Sequence, residues 1–180
     1  MDVDQNKAVF LDRDGVLVEE NGYMHVIEDM HIFDYSEDCV KRIHAKGYLA
    51  IVITNQSGVA RGYLTEETLI EMNNLLIARL KVDAVYYCPH YPTGVVEKYS
   101  LKCHCRKPDI GLIERAKSDY NIDLDHSYMV GDRATDIMTG ENAGMKTILL
   151  ETGYGTTRLE KDVDPNFVLN DLRDVIDILV

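Results

Sequence analysis

Hydrophobic residues along this chain fall into short continuous runs that alternate with stretches of helical periodicity. Five runs of strand length and a shorter sixth one lie at residues 8–11, 48–54, 83–88, 127–132, 146–152 and 167–170. Their apolar residues are consecutive rather than alternating with polar ones, which is typical of central strands covered on both faces. The runs therefore predict the buried strands of a single sheet.

The stretches between the runs carry apolar residues at the three- and four-residue spacing of amphipathic helices. The clearest stripes are Leu69, Met72, Leu76 and Leu80, and then Leu172, Val175, Ile176 and Leu179. Residues 37–46 and 110–120 also fit helices, and Thr65 has the features of a helix N-cap followed by acidic residues. Strands alternating with helices predict an α/β fold with a doubly wound parallel sheet.

The chain of 180 residues has the length of one domain, and we assign residues 1–180 to it. Two long segments without regular periodicity follow the first and third predicted strands, at residues 15–35 and 88–107. Loops of this length in a compact domain usually carry function. In a doubly wound sheet, ligands bind beyond the carboxyl ends of the strands. We therefore expect both segments to contribute to a ligand site.

Composition and charge disfavour several classes of partner. The chain is 46% hydrophobic and 28% charged, and 19 basic against 31 acidic residues give a formal net charge of −12. Such a charge disfavours nucleic acid and anionic membranes, so a site for an anionic ligand must be built locally from a few cations or a metal. The chain shows no secretory signal, no membrane-spanning run and no interface stripe. We expect a cytoplasmic monomer that acts on a small molecule.

Polar residues that could carry out chemistry lie at the carboxyl ends of the first, second and fourth predicted strands. A further set lies at the end of the loop that follows the third strand. In chain order they are Asp12 and Asp14, Thr54 and Asn55, Arg106 and Lys107, and Asp132, Arg133 and Asp136. Because the carboxyl ends of parallel strands meet at one edge of a sheet, we expect these sets to converge. Carboxylates gathered there repel one another unless a cation lies among them, and Mg²⁺ prefers oxygen ligands. The pattern predicts a magnesium site.

Such a site can transfer a phosphoryl group. An aspartate held ionised beside Mg²⁺ can attack phosphorus and form an aspartyl-phosphate. A neighbouring carboxylic acid can protonate the leaving oxygen and later activate water. The remaining need is positioning and charge neutralisation, which the Thr54 hydroxyl, the Asn55 amide and the Lys107 ammonium can supply.

The segments FLDRDGVL, TNQSG, CRKP and GDRATD resemble, in order and separation, the four motifs of the haloacid dehalogenase superfamily of phosphohydrolases. The resemblance implies a Rossmann-like core with Asp12 as nucleophile and Asp14 as general acid and base. It also implies that Mg²⁺ is bound by the Asp12 and Asp132 carboxylates and by the backbone carbonyl of Asp14. Thr54 and Lys107 would stabilise the transferring phosphoryl group. Asp136, one helical turn beyond Asp132, would support the residues of the site without contacting the substrate or the metal.

A second metal site of a different kind is predicted in the 88–107 segment. Three thiols and one imidazole occur there with zinc-ligand spacing, at Cys88, His90, Cys103 and Cys105. Such a closed set is typical of a structural Zn²⁺ ion, which would pin a long loop and fix the two cations that follow it. His104 is expected to point away, although it could replace His90 as a ligand.

The zinc loop together with TNQSGVARG resembles the capless branch of the superfamily that contains heptose bisphosphate phosphatases and histidinol-phosphate phosphatases. No insertion is large enough for a separate cap domain, so residues 15–35 must act as a flap over part of the site. The resemblance to the heptose enzymes implies a substrate-binding role for Glu20, Asn21, Gly22, Tyr23, Asn55, Gln56, Ser57, Arg106 and Arg133. Tyr91 stands where a second histidine is common, and Arg133 where lysine is common.

Charge favours a bisphosphate, because the phosphate that stays on the product needs a cation of its own. Arg106 is the first candidate and Arg133 the second, although an arginine could instead pair with Glu20 or Asp136. Arg61, in the GVARG turn, could contact substrate, but we expect it to lie on a solvated face. The resulting hypothesis is a magnesium-dependent heptose bisphosphate phosphatase in nucleotide-activated heptose synthesis.

Alternatives stay open from the sequence alone. Within the same chemistry, the substrate could be histidinol phosphate or another small sugar phosphate. A zinc-stabilised binding module with a vestigial phosphatase site is a different class, as is a receiver-like phosphoacceptor. The complete set of catalytic residues argues against a vestigial site. Asp14 and the zinc loop argue against a receiver domain, because a long-lived aspartyl-phosphate needs no base.

Overall fold

The predicted strands form one sheet in the computed structural model, which describes residues 5–159 and 162–180. All of its strand pairs are parallel, in the order β3-β2-β1-β4-β5-β6. The strands are β1 Lys7–Leu11, β2 Tyr48–Asn55, β3 Ala84–Cys88, β4 Tyr128–Gly131, β5 Lys146–Leu150 and β6 Phe167–Leu169. The sequence interpretation of the strands is therefore confirmed, with ends that differ by no more than two residues.

Helices cover both faces of the sheet. They are α1 Ser36–Ala45, α2 Glu66–Leu80, α3 Gly111–Tyr120, α4 Ala134–Asn142 and α5 Leu172–Val175. The apolar faces of α1, α2 and α5 share one hydrophobic cluster with inward residues of the sheet. Residues of α3 and α4 pack in two further clusters, with sheet residues such as Phe10 and Leu149. This arrangement confirms the doubly wound α/β fold.

Two local expectations for helices can be compared with the structure. The Thr65 hydroxyl accepts a hydrogen bond from the Thr68 backbone N–H at 3.1 Å, so Thr65 caps α2 as predicted. The last apolar stripe continues to Leu179, but α5 ends at Val175 and turns follow it. Leu179 is nevertheless buried. The apolar spacing therefore predicted which residues contact the core, but it did not predict where the helix ends.

The position of β1 determines where a ligand can bind. β1 lies between β2 and β4, and the chain builds the sheet outward on one side before returning to build it on the other. In such sheets the crevice opens beyond the carboxyl ends of the strands where the order reverses. Asp12 and Asp132 follow β1 and β4 directly, so both lie at that crevice. Within the described ranges, no helix has the length and apolar character needed to cross a bilayer.

Candidate active site

Three carboxylates meet at the crevice between β1 and β4. Asp12, Asp132 and Asp136 each offer an oxygen within 4.8 Å of the others, and all three residues are buried. The Asp12 backbone N–H donates to the Val130 carbonyl at 2.9 Å, which extends the ladder between the two strands by one residue. The sheet itself therefore fixes the distance between the Asp12 and Asp132 backbones.

Glycines allow the chain to pass close to these carboxylates. A Cβ on Gly15 would lie 2.4 Å from Asp132 Oδ2, and one on Gly153 would lie 2.2 Å from the same atom. Both glycines also have positive φ, +82° and +73°, which other residues rarely adopt. Asp132 is thus enclosed by backbone on two sides.

Lys107 supplies the cation that the sequence led us to expect. Its Nζ lies 3.0 Å from Asp12 Oδ1 and 2.6 Å from Asp136 Oδ1, and it donates to the Ile53 carbonyl at 3.1 Å. Burial by itself would lower the pKa of Lys107, but the charges of Asp12 and Asp136 raise it above the usual value. Lys107 therefore stays protonated, and Asp136 supports the site through it.

Asn55 holds Lys107 in place. The Asn55 amide donates to the Lys107 carbonyl at 3.0 Å, and its carbonyl oxygen accepts from the Lys107 backbone N–H at 3.0 Å. These two bonds join the end of β2 to the end of the 88–107 loop. Asn55 also lines the cleft described below, and both polar groups of its side chain already have partners.

Asp14 is held by two donors. Arg13 donates from Nε and Nη2 to the two Asp14 oxygens, each at 3.1 Å, and Gln56 Nε2 donates to Asp14 Oδ2 at 2.7 Å. Gln56 Nε2 also donates to Thr54 Oγ1 at 2.9 Å. The sequence interpretation gave Arg13 no role, although it lies between the two aspartates of the first motif.

The electrostatics of Asp132 fit a bound cation. Burial, and next the charge of Asp12, raise the pKa of Asp132 to about 8. Its Oδ2 accepts a hydrogen bond from the Tyr154 backbone N–H at 2.9 Å. Its Oδ1 is buried, has no hydrogen-bond partner among the described residues, and lies 4.0 Å from Arg133 Nε. An oxygen-preferring divalent ion would satisfy that atom and offset the repulsion. The residues present therefore fit Mg²⁺.

The thiol and imidazole cluster assembles as the spacing predicted. Cys88, His90, Cys103 and Cys105 offer ligand atoms that all lie within 4.8 Å of one another, and the three sulfur atoms are 3.1 to 3.4 Å apart. Hydrogen bonding to Cys88 lowers the pKa of the Cys105 thiol to about 5. This donor set fits a tetrahedral Zn²⁺. His104 points away from it, as expected, and its Nε2 lies 2.8 Å from Glu114 Oε2.

A cleft of about 450 Å³ opens above Asp12 and Asp14. The predicted substrate residues that line it are Glu20, Gly22, Tyr23, Asn55, Gln56, Ser57, Arg106 and Arg133. Asn21 is not among the lining residues, and its amide donates to Glu19 Oε2 at 3.3 Å. The 15–35 segment reaches over the cleft through the residues around Tyr23, and in the described part of the chain it forms no separate cap domain.

The arginines of the cleft differ in their surroundings. Arg133 Nη2 lies 2.6 Å from Glu20 Oε2, the pairing that the sequence left open, and its guanidinium stacks on Tyr154 at 4.2 Å from the ring centroid. Of the two positions that the sequence left open for Arg61, the structure has the one at the cleft and not the solvated face that was favoured. Arg61 lines the cleft, with its guanidinium 3.8 Å from the centroid of the Tyr91 ring.

Sequence reasoning raised a substrate contact for Arg61 only as the less favoured alternative, and it missed Tyr91 and Tyr154 as parts of this wall. Each comes from a different loop, and no periodicity relates them. The only signal available was that Arg61 follows TNQSG closely and that Tyr91 adjoins the zinc-ligand pattern.

Comparison with known proteins places this site in a family. The chain is 43% identical over 177 residues to the D-glycero-beta-D-manno-heptose-1,7-bisphosphate 7-phosphatase of Haemophilus ducreyi, covering 94% of this chain and 96% of that one. The chain belongs to the heptose bisphosphate phosphatase family of haloacid dehalogenase-like hydrolases. The D-glycero-alpha-D-manno-heptose-1,7-bisphosphate 7-phosphatase of Photorhabdus laumondii is a further member, 43% identical over 160 residues, covering 84% and 86% of the two chains.

Structure comparison agrees with this family. The D,D-heptose 1,7-bisphosphate phosphatase of B. bronchiseptica, crystallised with magnesium and phosphate, superimposes with a TM-score of 0.83 at 29% identity. The match covers 96% of this chain and 97% of that one. The HAD-hydrolase-like family model also matches residues 104–175, which include Lys107 and the GDRATD motif. As a haloacid dehalogenase-like phosphatase, the chain is a phosphoric monoester hydrolase.

Proposed function

We propose that this protein removes the phosphate at C7 of D-glycero-D-manno-heptose 1,7-bisphosphate. The observation that carries the proposal is the convergence of Asp12, Asp14 and Lys107 at the floor of a cleft whose wall is rich in arginine. The floor has the groups for phosphoryl transfer, and the wall has cations for a second phosphate. The family to which the chain belongs gives the heptose.

In the first half of the reaction, Asp12 acts as the nucleophile. Lys107 Nζ lies 3.0 Å from Asp12 Oδ1, and one oxygen of the Asp12 carboxylate attacks phosphorus in line with the sugar C7 oxygen. The bond from phosphorus to that oxygen breaks, and Asp14 in its protonated form gives the leaving oxygen its proton. Asp12 then carries the phosphoryl group as an acyl phosphate. Lys107 and the Thr54 hydroxyl neutralise and position its oxygens.

In the second half, Asp14 acts as a base. It takes a proton from a water molecule, which attacks phosphorus and displaces the Asp12 carboxylate, so inorganic phosphate leaves. Arg13 and Gln56 hold the Asp14 carboxylate by three hydrogen bonds of 2.7 to 3.1 Å. These three bonds fix the position of the carboxylate that takes the proton from water.

Two metals complete the proposal. The Asp12 and Asp132 carboxylates and the Asp14 backbone carbonyl would hold Mg²⁺, which when bound supplies positive charge to the phosphoryl oxygens. The four residues of the thiol and imidazole cluster would hold a structural Zn²⁺, which leaves Arg106 and Lys107 fixed at the end of the loop. The four cysteines, Cys39, Cys88, Cys103 and Cys105, are free thiols, which agrees with a reducing compartment. We infer that the enzyme is cytoplasmic. We also infer that it acts in nucleotide-activated heptose synthesis.

The test is phosphate release in the presence of Mg²⁺ from three substrates in parallel. These are the alpha and beta anomers of heptose 1,7-bisphosphate and histidinol phosphate, with an Asp12→Asn variant as control. The proposal expects a much higher kcat/KM for one heptose anomer. Preference for histidinol phosphate would keep the mechanism and overturn the substrate. Turnover by the Asp12→Asn variant would overturn the mechanism.

A further inference from the structure

The cations that line the cleft fall into two groups. These five cations are Arg13, Arg61, Arg106, Lys107 and Arg133. Arg13, Lys107 and Arg133 each form an ion pair, with Asp14, with Asp12 and Asp136, and with Glu20 respectively. Among the described residues, neither Arg61 nor Arg106 is paired with a carboxylate. These two arginines therefore hold the uncompensated positive charge of the cleft.

Tyr91 brings the two uncompensated arginines together. The Arg61 guanidinium lies 3.8 Å from the centroid of its ring and the Arg106 guanidinium 5.2 Å from it. Arg106 Nη1 also donates to the carbonyl of His90 at 3.2 Å. Two like charges held beside one ring repel each other, so the arrangement favours an anion that binds both.

Arg61 carries a second sign of a missing partner. Its Nε is buried and has no hydrogen-bond partner within residues 5–159 and 162–180, and a buried donor without an acceptor costs free energy. The Tyr23 ring of the flap lies on the Arg61 guanidinium at 5.5 Å. Arg61 is therefore packed between the flap and the 88–107 loop, facing the same cleft as Asp12 and Asp14.

The proposed function already gives Arg106 to the phosphate that the substrate keeps; we infer that Arg61, held beside Arg106 by the Tyr91 ring, binds the same phosphate. Arg61 is then a specificity-determining residue and Tyr91 a positioning residue, and together they select a bisphosphate over the monophosphate of the same sugar. This inference rests on the proposed function, because only a bisphosphate presents a second phosphate to this wall. Arg133 is not part of the clamp, because Glu20 already compensates its charge at 2.6 Å.

The experiment compares two substrates, heptose 1,7-bisphosphate and heptose 7-phosphate, which lacks the retained phosphate. Their kcat/KM values are measured for the unaltered protein and for Arg61→Ala, Arg61→Lys and Arg79→Ala. Arg79 is a matched control, since it is exposed on α2 and outside the cleft. We expect the bisphosphate to monophosphate ratio to fall about 100-fold in Arg61→Ala, the loss of charge-assisted hydrogen bonds to phosphate. Arg61→Lys restores part of the ratio, and Arg79→Ala leaves it unchanged.

Two substitutions of Tyr91 test whether its aromatic ring is needed. Tyr91→Phe keeps the aromatic face and should retain the ratio, whereas Tyr91→Leu should lower it about 10-fold. The inhibition constant of the product, heptose 1-phosphate, should rise in Arg61→Ala, because the product still carries the phosphate that Arg61 binds.

Distinct results overturn the inference and the proposed function. If Arg61→Ala lowers both kcat/KM values equally, Arg61 does not bind the retained phosphate, while the proposed function stands. An unchanged ratio in Tyr91→Leu would remove Tyr91 from the clamp. If the unaltered protein hydrolyses neither heptose substrate but hydrolyses histidinol phosphate, the proposed function fails and this inference fails with it.

Discussion

Two clusters of side chains that could hold a metal ion lie within the described residues, and they relate to the fold in opposite ways. The carboxylate cluster of Asp12, Asp132 and Asp136 is placed by the sheet, because its residues follow β1 and β4 or begin the helix after β4. The thiol cluster of the 88–107 segment closes a loop whose one short helical turn is Glu97–Tyr99. The sheet positions the first cluster, whereas the second cluster would hold its own loop in place once it binds the proposed Zn²⁺.

The difference lies in what each cluster costs and contributes. Three buried carboxylates repel one another, and burial raises the pKa of Asp136 to about 6 despite its contact with Lys107. Such a cluster is kept for chemistry and contributes little to stability. A metal bound to thiolates contributes folding free energy outright. Substitutions in the two clusters should therefore separate activity from stability.

The largest expected effect is a loss of activity without a loss of stability. Asp12→Asn should lower kcat on the order of 10⁵-fold, because an amide cannot form the aspartyl-phosphate. Its melting temperature should stay the same or rise, since one of three repelling charges is removed. Phosphate release and thermal unfolding measured on the same sample check both statements. More than about one hundredth of the activity in a folded variant would assign the nucleophile elsewhere.

Substitution of Lys107 should lower both the activity and the stability. Lys107→Met should lower kcat about 10³-fold and the free energy of unfolding by about 3–5 kcal/mol, because it leaves the buried Asp136 without its counter-ion. A Lys107→Met and Asp136→Asn double variant should regain most of the stability and none of the activity. Urea unfolding and phosphate release on both variants provide the check. A double variant as unstable as the single one would contradict the charge argument.

Removing one zinc ligand should act first on the fold. We propose about one zinc ion per chain in the unaltered protein. Cys103→Ser should lose that ion and lower the free energy of unfolding by about 2–4 kcal/mol, comparable to a lost covalent cross-link. Activity should fall with it, because Lys107 stands two residues beyond the last ligand. Metal analysis and thermal unfolding test this. A variant that keeps its melting temperature would show that the loop needs no metal.

The smallest expected effect concerns the link between the two regions. Asn55→Ala removes both side-chain bonds to the Lys107 backbone and should lower kcat about 10-fold with a loss of about 1–2 kcal/mol in unfolding free energy. Thr65→Ala, which removes only the cap of α2, should cost about 1 kcal/mol without changing kcat. An Asn55→Ala variant that matched Thr65→Ala in activity would reduce Asn55 to a structural residue.

Much of this arrangement can be predicted from the sequence, and the failures share one cause. Continuous apolar runs report burial on both faces, so the strands and the convergence of their polar ends follow directly. The assembly of the thiol and imidazole cluster follows from the spacing of its residues. The environment of Arg61 does not, because Tyr23 and Tyr91 reach it from loops far apart in the chain. The pairing of Arg133 with Glu20 was one of several possibilities that only the fold decides.

The pairing of β1 with β4 also has a consequence for the time course of folding. It places Val9 opposite Tyr128, so the active site needs contacts between residues separated by most of the chain, which form slowly. The ligands of the thiol cluster all lie within residues 88–105 and can meet early. After dilution from denaturant, zinc uptake should therefore precede the return of phosphatase activity, and the delay between them measures how long β4 takes to reach β1.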